Sequence, residues 1–315
     1  MSQEVPMRAV QAKEYGGPDV LQVVEVPAPE VAPGRVLVRV SAATVNPADW
    51  FTRTGVLAAM TPGLEPPLVL GWDLAGVVEV AGGGFEAGQR VVGMVPWFDE
   101  RTGTYAELVA AEPAWLAPLP GGVSDVVGAA LPLNGLTASQ AVDLVGLTAG
   151  QTLLVTGASG AVGGYAVQLA SAAGLRVLAV GSTGDEEHLR GLGAEQLLER
   201  AGPDELVAAV RSAVPGGVDG VLDAAPVGPV LIGAVRDGGV FVAVLDPTVP
   251  APERGIRTAK VSVVPDPAGL RRLVDAQAAG TLTTRVADTL PLARAGEAHE
   301  RAAAGGLRGK IVLTL

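Results

Sequence analysis

The sequence predicts an α/β protein of two domains, a β-rich N-terminal part followed by a doubly wound parallel sheet. Three observations predict it. The 315 residues are about two domains' worth at roughly 150 residues each. Short valine-rich runs broken by glycine and proline fill the chain to about Pro120. Beyond it, apolar runs alternate with helical patterns, the rhythm of successive βαβ units.

In the first part, Val36 to Val40 and Gly76 to Val80 read as strands, because β-branched residues suit a pleated, half-buried surface. Gly16-Gly17-Pro18, Pro33-Gly34, Gly82-Gly83-Gly84 and Ala87-Gly88-Gln89 read as turns. Short strands without long helices imply a compact barrel or partly open sheet. Near Val123 the character changes to two short helices broken at Leu131-Pro132, with Ser124 as N-cap, which reads as the bridge between domains.

The alternation then runs in order. Strand Thr152 to Thr156 leads to a helix from Ala161, and strand Arg176 to Val180 to a helix over Asp185 to Leu192. A short strand at Gln196 to Leu198 precedes a helix over Pro203 to Ala213, and strand Val218 to Asp223 precedes a helix near Val230 to Val235. Strands Gly239 to Leu245 and Lys260 to Val264 complete the sheet. A helix over Ala268 to Ala279, the run Arg285 to Asp288 and a helix near Ala293 to Ala304 lead to Gly309 to Leu315, a strand with no helix after it. That strand is expected to return to the first domain and make it discontinuous.

The stretch Thr152 to Tyr165, TLLVTGASGAVGGY, is a strand, a glycine-dense turn and a helix start. Glycines there let a pyrophosphate approach main-chain N–H groups and let the helix pack close to its strand, which predicts a dinucleotide site. In the G-x-G-x-x-G fingerprint, Ala158 stands where the first glycine belongs. The alternative is a glycine-rich packing turn without a ligand.

Composition excludes several classes. A net charge of −11, with lysines only at 13, 260 and 310, argues against nucleic-acid and anionic-membrane surfaces, which need a basic patch. With 49% apolar and 17% charged residues the chain is globular. No cysteine occurs, so there is no disulfide, thiolate nucleophile or Cys-ligated zinc. The N-terminal stretch has neither a basic region nor an apolar core, which predicts no secretory leader and a soluble cytoplasmic protein. Ala161 to Val180 is apolar enough to mimic a membrane span, but Gly174 divides it into a helix and a buried strand.

The order of motifs resembles the medium-chain dehydrogenase/reductase superfamily, in its zinc-independent quinone oxidoreductase and enoyl reductase branch. The resemblance runs through Gly16 to Leu21, Asn46-Pro47-Ala48-Asp49, Gly71 to Gly76, Gly103 to Glu107, Ala130 to Ala138, Gly157 to Gly163 and Arg308 to Leu313. It implies a GroES-like, β-barrel-type catalytic domain over residues 1–122, completed by 281–315, and a Rossmann dinucleotide-binding domain over 123–280. Where the zinc alcohol dehydrogenases place a cysteine ligand this chain resembles them with Asn46, and where they carry Gly-His-Glu it has Gly71-Trp72-Asp73. No tetrahedral ligand set is evident. The two histidines, His188 and His299, read as surface residues. Tyr105 reads as a barrel strand residue and Tyr165 as a packing residue of the first nucleotide-domain helix; neither is assigned a catalytic role.

Without a metal, the protein's part is to hold a nicotinamide against an acceptor whose own carbonyl withdraws electrons, a quinone or a conjugated enone. The developing oxyanion still needs a donor and a proton. Asn46 is the candidate donor, with Asp49 to orient it or relay a proton; the competing reading is a turn with Asn46 as helix cap and Pro47 at the first helical position. The turn residues Gly157, Ala158, Ser159, Gly160, Ala161, Val162 and Gly163 are assigned to the cofactor. At the end of the second strand, Gly181-Ser182-Thr183 presents no acid for the ribose, favouring NADP(H) over NAD(H), although Asp185, Glu186 and Glu187 follow with Arg190 a turn later. By resemblance, Thr137 lies near the phosphates or nicotinamide, and Ala224, Ala225 and Leu245 border the nicotinamide. The last nucleotide-domain strand, Lys260 to Val264, is expected to pair in a homodimer. The leading function is an NADPH-dependent quinone or enone reductase. The alternatives are a dedicated enoyl reductase of a biosynthetic pathway and a non-catalytic NADP(H)-binding sensor or structural protein.

Overall fold

The computed structural model describes residues 6–58 and 61–315. Residues 1–5, the start of the stretch read for a leader, lie outside the described residues. In chain order the elements are β1 (Pro6–Ala12), β2 (Leu21–Pro27), β3 (Val36–Thr44), α1 (Pro47–Arg53), β4 (Leu68–Val69), β5 (Asp73–Val80), β6 (Arg90–Met94), α2 (Trp97–Glu100), β7 (Leu108–Ala111), β8 (Leu116–Pro118), α3 (Asp125–Ala129) and α4 (Pro132–Val145). They continue as β9 (Thr152–Val155), α5 (Ala161–Ala172), β10 (Arg176–Gly181), α6 (Glu186–Gly191), β11 (Gln196–Glu199), α7 (Pro203–Ala213), β12 (Val218–Asp223), β13 (Val235–Ala243) and β14 (Arg257–Lys260). The last four are α8 (Pro267–Ala278), β15 (Val286–Pro291), α9 (Ala295–Ala303) and β16 (Lys310–Thr314).

The chain forms two compact units, one ending at Leu133 and resuming over Val264–Leu315, the other Asn134–Val263. The divisions fall later and earlier than 122/123 and 280/281 for a physical reason. Helix α3 packs on β3, β5 and β6, and α8 packs on β8, so both belong to the first unit.

In the first unit, β2-β1-β4 make a small sheet and β15-β16-β3-β5-β6-β8 a larger one, with β7 also paired to β3. Strand β3 shows why the sequence folds this way. Val36, Val38 and Val40 turn inward while Leu37 and Arg39 do not, the period of a half-buried strand; from Ala42 onward every residue is buried. Along that buried stretch β16 pairs antiparallel, Val312 opposite Thr44 and Thr314 opposite Ala42. The C-terminal strand thus joins the first unit's sheet, between β15 and β3.

The second unit is a six-stranded parallel sheet of order β11-β10-β9-β12-β13-β14. Counting its own strands, that is 3-2-1-4-5-6, the doubly wound order whose switch point lies between its first and fourth strands. All four residues of β9 are buried, as expected of a central parallel strand covered on both faces. Two readings need correction. The segment near Val230 to Val235 is a 3-10 turn, Pro229–Ala234, and the last strand is Arg257–Lys260, so residues 261–264 lie beyond it. Ser124 does cap α3, accepting from Val127 N at 3.3 Å. No helix among the described residues is long and apolar enough to cross a membrane.

Candidate functional site

The second unit's turn is built from backbone and small side chains. Gly157 takes the positive φ, +61°, two residues after β9, so the strain of the turn falls one residue before Ala158. Ala158 is buried, and its N–H donates to Val180 O of β10 at 3.1 Å. An alanine therefore fits where the fingerprint asks for glycine. Gly163, inside α5, is different: a methyl there would overlap the Gly157 carbonyl. Gly160 is the N-cap of α5, whose first N–H groups have no carbonyl one turn back. Ser159 Oγ is buried and has no hydrogen-bond partner among the described residues. A methyl on Gly181 would press on Ser159 Oγ and on Leu189. Free N–H groups, an orphaned hydroxyl and a bare strand end fit a dinucleotide phosphate. Tyr165 packs in α5, 3% exposed.

At the switch point, Thr156 Oγ1 donates to Asp223 Oδ1 at 2.6 Å and accepts from Ala225 N at 3.0 Å. Asp223 also accepts from Val227 N and Gly228 N at 3.3 and 3.0 Å. Burial raises its pKa. These bonds seat the Ala224-Ala225 loop beside Gly157. Leu245 follows β13, where its carbonyl accepts from Thr248 Oγ1 at 2.8 Å. Thr137 is on α4 and buried.

The acidic run after Thr183 is less acidic in space than in sequence. Asp185 is buried, and Glu186 is paired with Arg190 at 2.6 Å. Thr183 Oγ1 donates to Glu199 Oε1 at 3.2 Å. Sequence reading missed Arg200: its N–H donates to Gly181 O at 3.0 Å, placing it at the end of β10, and it forms no ion pair among the described residues.

The first unit holds a different kind of site, a polar network buried in its core. The Asn46 amide lies at its centre. Its Nδ2 donates to Asp73 Oδ2 at 2.7 Å and to Thr44 Oγ1 at 3.1 Å, while its Oδ1 accepts from Lys310 Nζ at 2.5 Å. Lys310 also donates to Val45 O at 2.7 Å. Asp73 further accepts from Thr44 Oγ1 at 2.5 Å and from Leu133 N at 2.6 Å. Asp49 accepts from Asn46 N and Gly71 N, both at 2.8 Å. Asn46 and Pro47 do start α1, as the turn reading has it, and the Asp49 carboxylate forms that cap; the Asn46 side chain looks to Asp73 instead.

A second arm runs through Tyr105 and His299. Arg53 Nε donates to His299 Nδ1 at 3.3 Å, and a guanidinium can only donate. The imidazole proton is therefore on Nε2 and points at Tyr105 Oη, 3.1 Å away. The phenol faces Thr44 O at 3.3 Å and Asp49 Oδ2 at 3.5 Å. Arg53 also donates to Gly16 O. His299 is 1% exposed, which corrects its reading as a surface residue: it lies on the inward face of α9 with Ala295 and Ala298. Tyr105 sits in the link before β7 and not in a strand.

Burial dominates the electrostatics. It pushes Asp49 up to about 7 and raises Asp73, in both cases against the pull of Lys310. It lowers Lys310 to about 8, against the two carboxylates, and His299 to about 3 with help from Arg53. The Tyr105 phenol is pushed well up. Nearby, Trp72 packs edge-on against Phe98 with ring centroids 5.0 Å apart, and its Nε1 has no hydrogen-bond partner among the described residues.

Two family models match: an alcohol dehydrogenase GroES-like domain over residues 32–121 and a zinc-binding dehydrogenase domain over 192–313. The quinone oxidoreductase homologue of spinach chloroplasts is 36% identical over 208 residues, 63% of this chain and 62% of that protein. The chain thus spans less than two thirds of that relative's length. The quinone oxidoreductase of Coxiella burnetii superposes with a TM-score of 0.91 at 29% identity, covering 99% of this chain and all of that one. A mycobacterial protein solved with NADPH superposes at 0.82 with 27% identity, covering 98% of this chain and 100% of its own.

A GroES-like unit joined to a doubly wound parallel sheet defines a medium-chain dehydrogenase/reductase, and the chain belongs to that superfamily. Within it, the spinach and Coxiella burnetii proteins it resembles are both named as quinone oxidoreductases. The zinc in the second family model's description does not suit the residues present. Asn46 and Trp72 stand at the ligand tags, an ammonium occupies the Asn46 oxygen, and among the described residues no three or more His, Asp or Glu side chains converge.

Proposed function

We propose that the chain is a cytoplasmic, NADPH-dependent oxidoreductase that passes hydride to a quinone or an α,β-unsaturated carbonyl without a metal. The observation that carries the reading is the Asn46 amide held between Lys310 and Asp73, a hydrogen-bond donor site where zinc relatives place a ligand. When bound, the nicotinamide cofactor supplies the hydride. Gly157 to Gly163 hold its phosphates, Gly181, Ser182 and Thr183 its ribose, and Thr137, Ala224, Ala225 and Leu245 border the nicotinamide.

Asn46 bonds the acceptor's oxygen. Its N–H on Thr44 Oγ1, at 3.1 Å, is a longer bond than the one to Asp73, and that N–H is shared between Thr44 Oγ1 and the acceptor's oxygen. The 2.7 Å bond to the Asp73 carboxylate stays. Asp49 orients the turn that carries Asn46. Trp72 Nε1, buried and unpaired at a cost of about 1–3 kcal/mol, is a second donor that a carbonyl oxygen would satisfy.

NADPH is favoured by the absence of an acid directly after β10, by the pairing of Glu186 and by Arg200. Arg200→Ala is expected to weaken NADPH binding about tenfold and leave NADH unchanged in fluorescence titration. Strand β14 is the sheet's outer strand, and we propose that two copies pair there; a monomer in sedimentation would remove this.

The test is NADPH and NADH oxidation against quinones, alkenals and alkenones, with and without a chelator. Turnover of quinones and enones that survives chelation supports the reading. Turnover confined to one enone reassigns the chain to a dedicated enoyl reductase, and cofactor binding without turnover reassigns it to a binding protein.

A further inference from the structure

Lys310 takes no step in the hydride transfer as described, yet its ammonium is buried in the first unit's core. It opens β16, where Ile311, Val312 and Leu313 after it are buried and apolar. Its ammonium donates to Val45 O and to Asn46 Oδ1, with Asp73 and Asp49 as the neighbouring negative charges. Burying an ammonium and two carboxylates is poor value as stability, because well-packed apolar residues do as well or better.

Its effect on Asn46 is specific. An ammonium only donates and a carboxylate only accepts, so Lys310 on Oδ1 and Asp73 on Nδ2 leave the amide one orientation. A flipped amide would set its NH2 against the ammonium and its oxygen against the carboxylate. A cation on the amide oxygen also draws electron density from the nitrogen and strengthens its N–H groups as donors. We propose that Lys310 is a positioning residue that orients and polarises the Asn46 amide, so that its second N–H meets the negative charge developing on the substrate oxygen. The inference rests on the reading of Asn46 as the donor to that oxygen.

Phenolates mimic such an oxygen without turnover. A series of nitro- and halophenols, ionised at the working pH, is titrated into the full chain with NADP⁺ present, and log Kd is plotted against phenol pKa. In the wild type, affinity is expected to rise with phenolate basicity, because the more localised charge gains more from an oriented donor. Lys310→Met should flatten that slope and weaken the most basic phenolate about tenfold, while Lys310→Arg keeps most of it. If Lys310→Met does not fold, Lys310→Gln, which still donates to the Asn46 oxygen but carries no charge, should also flatten it. An unchanged slope in Asn46→Ala overturns the reading of Asn46. A flattened slope in Asn46→Ala beside an unchanged one in the folded Lys310 variants overturns the role of Lys310 alone.

Discussion

The glycine turn of the second unit and the polar core of the first present hydrogen bonds in opposite ways. The turn offers backbone N–H groups and one unpaired hydroxyl, Ser159 Oγ, and keeps side chains out. The core is made of charged and polar side chains engaged with one another, from Arg53 through His299 and Tyr105, and from Lys310 through Asn46 to Asp73. The first region is sensitive to added volume, the second to any change of charge or proton. Substitutions of each kind separate the two.

The largest effect is expected in the core. Asp73→Ala takes an acceptor from Thr44, Asn46 and Leu133 and leaves Lys310 short of counter-charge. Leaving a buried ammonium and three buried donors uncompensated in this way costs about 3–5 kcal/mol, to be read as a lower urea midpoint, whereas a loss below about 1 kcal/mol would mean that water reaches Lys310. Next comes the turn. Gly163→Val sets a side chain against the Gly157 backbone and should raise the Kd for NADPH about 100-fold in fluorescence titration. A normal Kd would show that α5 can move away.

Near neutral pH the smallest effect concerns a single proton. His299 has a folded pKa of about 3 against 6.5 unfolded, so below pH 6.5 the unfolded chain binds more protons and stability falls as pH drops toward 3. Asp49, raised to about 7 from 3.8, works the other way: the folded chain binds more protons, and stability falls as pH rises from 3.8 to 7. The two slopes oppose each other between pH 3.8 and 6.5. His299→Gln removes one of them. Relative to wild type it should gain about 1.4 kcal/mol for each pH unit below 6.5, measured by urea unfolding. A parallel pH profile would show His299 protonated in the fold.

The second unit was largely legible because its signals are local. The run Leu153-Leu154-Val155, the glycines after it and the periodic helix from Ala161 are neighbours in the chain, and each prefers the conformation it adopts. The Asn46 turn was legible for the same reason, since Pro47 and Asp49 mark a helix start. His299, between Ala298 and Glu300 on a late helix, reads as a surface residue and is buried. The spacing of Ala295, Ala298 and His299 would have placed it on the buried face. Lys310 carried a signal too, a lysine opening an otherwise apolar strand. Its partner, however, is 264 residues away.

By itself the sequence determined two domains, a doubly wound sheet and a strand followed by a glycine-rich turn and a helix, because these follow from backbone preference and hydrophobic period over a few residues. Only the tertiary structure decided what surrounds Asn46. Pairing β16 with β3 brings Lys310 to the amide oxygen, and β5 brings Asp73 to its nitrogen. The orientation of that amide is set by charges that meet only after the sheet forms.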